Sequence, residues 1–264
     1  MRKKILLLVL AVGIITAPAL FAQSTAGEKR TTGSGSAKTS DNVDFNAGLI
    51  VSLNNTPVEM GDENIKNSLA YHFLAMELDV DLLDNLTLGI LAGLNSNYFT
   101  DPVDFFQFPV PLRFNEEKNN SMVMGLNARS ELLLPGDFSL QGRAGFLYFK
   151  LHKNTFAFDP PDAAGDYTMK NSFVEASIEL RVQYDGLPGL TIFAGPQLNL
   201  LHGKFSASET ADTVDASDSY TYDQKQLVGL VGGVNLDLGD HFVIDAKLTL
   251  ISKTALSAGI FYVF

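Results

Sequence analysis

The sequence predicts an all-β fold: a closed antiparallel transmembrane β-barrel of ten strands, with eight as the alternative, carrying its apolar side chains on the outside. Three observations lead there. Apolar and polar residues alternate from Val43 to the last residue. The connections alternate between tight turns and long loops. Apolar residues make up 46% of the chain, yet the mean hydropathy is only +0.10. An extended chain sends successive side chains to opposite faces, so alternation of this kind marks strands with one greasy side. Hydrophobicity spread so thinly suits such strands better than membrane helices.

The N-terminus reads as a targeting segment over residues 1–22. Arg2, Lys3 and Lys4 precede an apolar run from Ile5 to Ile15, followed by a small-residue region with Ala17, Ala19 and Ala22. The run is too short to span a bilayer, which takes about 20 residues. Cleavage is placed after Ala22, with Ala19 as the alternative. Residues 23–42, rich in Ser, Thr, Gly and Lys, read as a flexible leader because they have too little apolar surface to offset ordering entropy. The barrel is expected over residues 43–264. Without residues 1–22 the chain keeps 16 Lys and Arg against 30 Asp and Glu. That balance argues against nucleic-acid partners, which require clustered cations. The absence of Cys removes disulfides and thiolate metal sites.

The strands follow in order, each with its outward set. The first carries Val43, Phe45, Ala47, Leu49, Val51 and Leu53; the second, over Ser68 to Asp81, Leu74, Met76, Leu78 and Val80. The third presents Leu86, Leu88, Ile90, Ala92 and Leu94, the fourth Met122, Met124, Leu126, Ala128 and Leu132, and the fifth Phe138, Leu140, Ala144, Phe146 and Tyr148. The sixth alternates most cleanly, with Val174, Ala176, Ile178, Leu180, Val182 and Tyr184 set against Glu175, Ser177, Glu179, Arg181 and Gln183. The seventh carries Leu190, Ile192, Ala194, Leu198 and Leu200, the eighth Val228, Leu230, Val234, Leu236 and Leu238, and the ninth Ile244, Ala246, Leu248 and Leu250. The turns after the second, fourth, sixth and eighth strands are built of Asp, Asn, Gly and Pro, as tight hairpins require. Long connections are expected near Asn54–Asn67, Tyr98–Asn119, His152–Lys170 and His202–Gln224, with a short one at Ser252–Ala255. Short turns on one rim and long loops on the other describe a membrane barrel with its long side outside the cell. In a soluble barrel or sandwich the apolar face would instead point inward.

The tenth strand, Leu256-Ser-Ala-Gly-Ile-Phe-Tyr-Val-Phe264, has a uniformly apolar face (Leu256, Ala258, Ile260, Tyr262, Phe264) and ends on an aromatic. It resembles the closing strand of bacterial outer-membrane β-barrels of the small porin-like class. The resemblance implies residence in the bacterial outer membrane, lipid as the surroundings, and recognition by barrel-insertion machinery through Tyr262 and Phe264. The chain departs from such barrels in having no Trp, so Tyr and Phe must form the interfacial girdle.

Inward parity places Glu77, Asp79, Arg129, Glu131, Arg143, Glu179, Arg181, Asp237, Asp245 and Lys247 in strand portions near the short-turn rim. They are expected to converge in that half of the lumen as a paired network, because an unpaired buried charge is costly. Acids exceed bases six to four in this set, so a leak through it would favour cations. Ile50, Phe73, Leu147, Phe149, Leu151, Phe173 and Leu201 share the inward parity nearer the other rim. They form either an apolar solute pocket or simple filling of a narrow barrel. The loop Tyr98–Phe114 holds five Phe residues and is expected to pack into the mouth or on neighbouring loops.

Catalytic and metal signals are poor. His72, His152 and His202 lie near the long-loop rim without a motif joining them to a nucleophile, and Asp240-His241 lies at the other rim. Asp212, Asp215, Asp218 and Asp223 lack the spacing of a calcium loop. The sequence therefore reads as a narrow or closed pore, without cofactor or enzymatic constellation, that binds or passes small hydrophobic solutes. A surface-exposed adhesion barrel acting through its loops is the main alternative, and an outer-rim hydrolase the lesser one.

Overall fold

The computed structural model describes residues 44–61, 65–83, 85–101, 121–150, 154–158, 165–211 and 214–264. The expected signal segment, the leader, His152 and Leu151 fall outside them. All the described elements are strands: β1 (Asp44–Met60), β2 (Ile65–Leu83), β3 (Leu86–Phe99), β4 (Ser121–Leu133), β5 (Phe138–Lys150), β6 (Asn154–Phe158), β7 (Gly165–Leu187), β8 (Leu190–Ala211), β9 (Val214–Gln224), β10 (Val228–Leu238), β11 (Phe242–Leu250) and β12 (Thr254–Val263).

Ten of these strands close a ring in the order β1, β2, β3, β4, β5, β7, β8, β10, β11, β12. β12 returns to β1 with Val263 opposite Asn46 and Thr254 opposite Asn55. Every neighbouring pair is antiparallel, and the ring leaves no free sheet edge at this level, as a wall in lipid requires. The short turns form one end, here called the lower. Gly136, Gly189 and Gly239 take positive φ there, the conformation glycine adopts without a Cβ clash.

Two strands are additional to the ten expected. β6 extends the line of β5 along the upper part of β7. β9 forms a hairpin with the upper half of β8, and its far edge pairs with the top of β1 from Val58 to Met60. At this height β9 takes the place of β10, β11 and β12, so the ring loses two strands and narrows. The expected long loops at Asn54–Asn67 and His202–Gln224 are thus largely strand: β1 runs on to Met60, β2 begins at Ile65, and β8 and β9 cover most of the other.

These extensions have a common cause. The outward apolar set ends at Leu53 on β1, Leu74 on β2, Tyr148 on β5, Val174 on β7 and Leu200 on β8, and the outward residues above are polar. The alternation continues with its sense reversed. On β1, Asn55 is exposed while Val58 and Met60 are buried; on β2, Lys66 is exposed while Leu69, Tyr71 and Phe73 are buried. The lower wall therefore presents apolar groups outward, and the upper wall presents them inward. A belt of exposed Leu, Ile, Val, Met and Phe circles the lower part of the ring. Apolar surface of that extent is compatible with lipid and not with water.

Candidate functional site: a divided lumen

The lumen has an upper tier of packed rings, a middle tier built around one lysine, and a lower tier with a cavity. In the upper tier Phe149 stacks on Phe173 with centroids 4.1 Å apart, and Tyr71 meets both edge-on at 5.3 Å. Phe99 sits edge-on to Phe205 and Tyr222, each at 5.3 Å. Buried amides thread between the rings: Tyr222 donates to Asn171 (2.6 Å), and Asn171 donates to Asn97 (2.8 Å). Of the residues expected around an apolar pocket, Phe73, Phe149, Phe173 and Leu201 belong to this packed cluster. Ile50 and Leu147 pack partly against it and, with Phe73, roof the cavity below.

The middle tier centres on the β11–β12 turn. Ile251 has φ of +77°, a costly conformation for a β-branched residue, and the Ser252 N–H donates back to the Leu250 carbonyl at 3.1 Å in a γ-turn. The turn aims Ser252 and Lys253 into the lumen, where both are buried. The Lys253 ammonium pairs with Glu175 on β7, and lies 3.3 Å from the Tyr71 hydroxyl and 5.8 Å from the ring centroid. Tyr71 in turn donates to the second Glu175 oxygen. Asn199 donates to the Ser252 hydroxyl at 2.8 Å, and Gln224 at the foot of β9 donates to the Ser252 carbonyl at 2.9 Å. Three elements that meet at the narrowing are thereby tied together.

The lower tier encloses a cavity of about 310 Å³ whose lining includes Glu77, Arg129, Arg143, Glu179, Arg181, Asp245 and Lys247. Glu179 is shared by Arg181 and by Lys247 at 3.1 Å, and the Arg181 guanidinium lies 4.2 Å from the Phe193 ring centroid. Arg129 pairs with Asp79 at 3.2 Å, and Asn127 donates to Glu77. Seven of the ten expected network residues thus line the cavity, and Asp79 joins them through its pair with Arg129. The other two do not: Asp237 is exposed at the lower rim, and Glu131 lines a separate rim pocket with Asp81 and Thr87. The seven lining residues comprise three acids and four bases, so the acidic excess of the ten is absent from the cavity wall.

Lys253, Glu175 and Tyr71 were not among the expected site residues. The sequence places Lys253 in the short connection Ser252–Ala255, yet it continues the inward parity of Ser257 and Ala255, and that parity is the available signal. Glu175 and Tyr71 carry inward parity too, but lie above the charged half.

The remaining candidates stand apart. His202 pairs with Asp223 at 3.0 Å on the outside of β8 and β9, with no described hydroxyl hydrogen-bonded to it. His72 packs against Tyr98. His241 lies at the lower end, 3.1 Å from the Val263 carbonyl and stacked on Tyr262. Tyr98 and Phe99 belong to β3, and residues 102–120 lie outside the described residues. Among the described residues no group of three or more His, Asp or Glu side chains could hold a metal ion.

A closed ten-strand ring with an apolar outer belt and a charged, paired interior decides the architecture. The fold is that of an outer-membrane β-barrel. No protein-family model matches the sequence, and no curated protein matches it. Among solved structures the chain is similar to the outer membrane protease OmpT from Escherichia coli, at 10% identity over 86% of this chain and 98% of that chain, with a TM-score of 0.46. It is also similar to the translocator domain of the autotransporter NalP from Neisseria meningitidis, at 10% identity over 85% of this chain and 90% of that one, TM-score 0.45. A third is the outer membrane protein OprG from Pseudomonas aeruginosa, at 10% identity, 84% and 95% coverage and TM-score 0.40.

Proposed function

We propose that the protein is a closed, non-conducting barrel of the bacterial outer membrane, with its short turns in the periplasm. Its lengthened upper strands form a rigid platform outside the cell, and its task is performed there through the connections the platform carries. The supporting observation is the filled lumen: the Phe149–Phe173 stack and the buried Lys253–Glu175–Tyr71 group occupy the axis above the cavity. Insertion through Tyr262 and Phe264 fits this reading, with Phe264 71% exposed at the end of the last strand. Planar-bilayer recording tests the reading. Purified protein should give no step-like currents, and reproducible unitary conductance from the native chain would overturn it.

A second reading is supported by the cavity's two-sided lining. Ile50, Phe73, Leu91 and Leu147 offer an apolar roof over a charged floor, the complement of a small amphipathic solute entering from the periplasm. Saturable uptake of such a solute that disappears in Leu147→Trp would support it.

A further inference from the structure

Above the belt, the outer wall of β5, β7 and β8 carries a cluster of cations. Register places Lys150 opposite Ser172, and Ser172 opposite Lys204, so the three lie in one row across three strands. Lys170 stands two residues above Ser172 on the same face, opposite Ser206. With strands ~4.8 Å apart and a rise of ~3.3 Å per residue, the three lysine Cα atoms form a triangle with sides of ~8–10 Å, and Ser172 sits at the middle of its lower side. All three lysines are exposed, and none has an ion-pair partner among the described residues. The described acid nearby on this face, Asp223, is hydrogen-bonded to His202. One row below come Tyr148 and Val174, the last outward residues of the belt on β5 and β7.

We infer that this triangle is a binding site for the phosphate of an anionic lipid in the leaflet that borders the upper edge of the belt. The inference rests on the barrel being embedded in lipid. The chain carries a formal charge of −11, so three lysines without a described carboxylate partner run against its average. Their position is specific as well: they begin where the apolar surface stops, which is where headgroup phosphates lie above acyl chains. Lysine stems are long enough to converge on one phosphate while their methylenes rest on the wall, and the Ser172 hydroxyl supplies a donor between Lys150 and Lys204. The acyl chains would continue down the surface of Tyr148, Phe146 and Ile178. A free phosphate would meet the same cations without that apolar continuation, so the site belongs to a lipid.

The test uses the full chain reconstituted in vesicles of equal phosphatidylglycerol and phosphatidylcholine, extracted in mild detergent and weighed by native mass spectrometry. The native protein should retain phosphatidylglycerol selectively. Each single Lys→Gln change should lower that retention about fivefold, the equivalent of about 1 kcal/mol for a lysine at an anionic lipid surface. The triple variant K150Q/K170Q/K204Q should lose it roughly a hundredfold. Lys66→Gln, on the exposed face of β2, should leave it unchanged. Equal retention by the triple variant and the native chain would overturn the inference. So would displacement of the lipid by inorganic phosphate, which would make this a free-anion site. Should the native chain keep neither lipid while its gel mobility remains heat-modifiable, the lipid site fails and the barrel assignment stands.

Discussion

Replacing Lys253 by Met should be among the most damaging single changes in the chain. Lys253 is 8% exposed and Glu175 4%, so water screens the pair poorly. At an effective dielectric of about 20, opposite charges ~4 Å apart attract by about 4 kcal/mol, and removing one partner of a buried pair typically costs 3–5 kcal/mol. Met keeps the length and the apolar stem, so the loss isolates the charge. The Tyr71 hydroxyl would still donate to Glu175, and this places the expected cost near the lower figure, about 3 kcal/mol. Urea unfolding in detergent micelles, followed by the change in gel mobility of unheated samples, reads the effect. Glu175→Gln in the Lys253→Met background should restore at least half of the loss, because it removes the stranded carboxylate. A single variant within about 0.5 kcal/mol of the native chain, the range of ordinary surface changes, would refute the reasoning. So would a double variant no more stable than the single one.

Other outcomes follow from the same geometry. Glu179→Gln leaves Arg181 and Lys247 without their shared carboxylate and should cost about 3 kcal/mol in the same unfolding assay. Phe149→Ala together with Phe173→Ala removes the stacked pair of the upper tier; at about 3–5 kcal/mol for each buried Phe, thermal melting should fall well below that of either single variant. Gly195→Ala brings a Cβ to 1.9 Å from the Leu180 carbonyl oxygen, a backbone atom that cannot rotate away, so the heat-modifiable folded form should be largely lost. Gly145→Ala meets only the Ser177 hydroxyl, at 3.0 Å, and should assemble at close to the native yield.

The barrel was legible because alternation is a local property. Val174 to Tyr184 states its own conformation and facing, and the tight turns at Pro135-Gly136-Asp137 and Gly239-Asp240 state where direction reverses. Of the charged residues singled out by parity and height along the strand, seven line one cavity and Asp79 pairs with Arg129 beside it. Other features were not legible. Read from the sequence, the strands stop where outward residues turn polar, as at Asn55 and His202, since reversed alternation looks like lost alternation when only the belt is sought. The narrowing depends on β9 meeting β1, a pairing between residues far apart in sequence that no local pattern announces. Lys253 was hidden for the same reason: its partners Glu175 and Tyr71 lie on strands joined to it only by closure of the ring. Asp237 had the right parity but stood too close to the rim to be enclosed.

The reversal of facing along β1, β2 and β8 means that one continuous sheet answers to two different solvents. Around the belt, neighbouring hydrocarbon is no better shielded by protein than by acyl chains, so cohesion there comes from the backbone ladder and the buried ion pairs. Higher up, expulsion of water from Phe99, Phe205 and Tyr222 supplies it. Cooling and urea both weaken water-driven burial. They should therefore loosen this barrel from its upper end downward, while the belted ring below still holds.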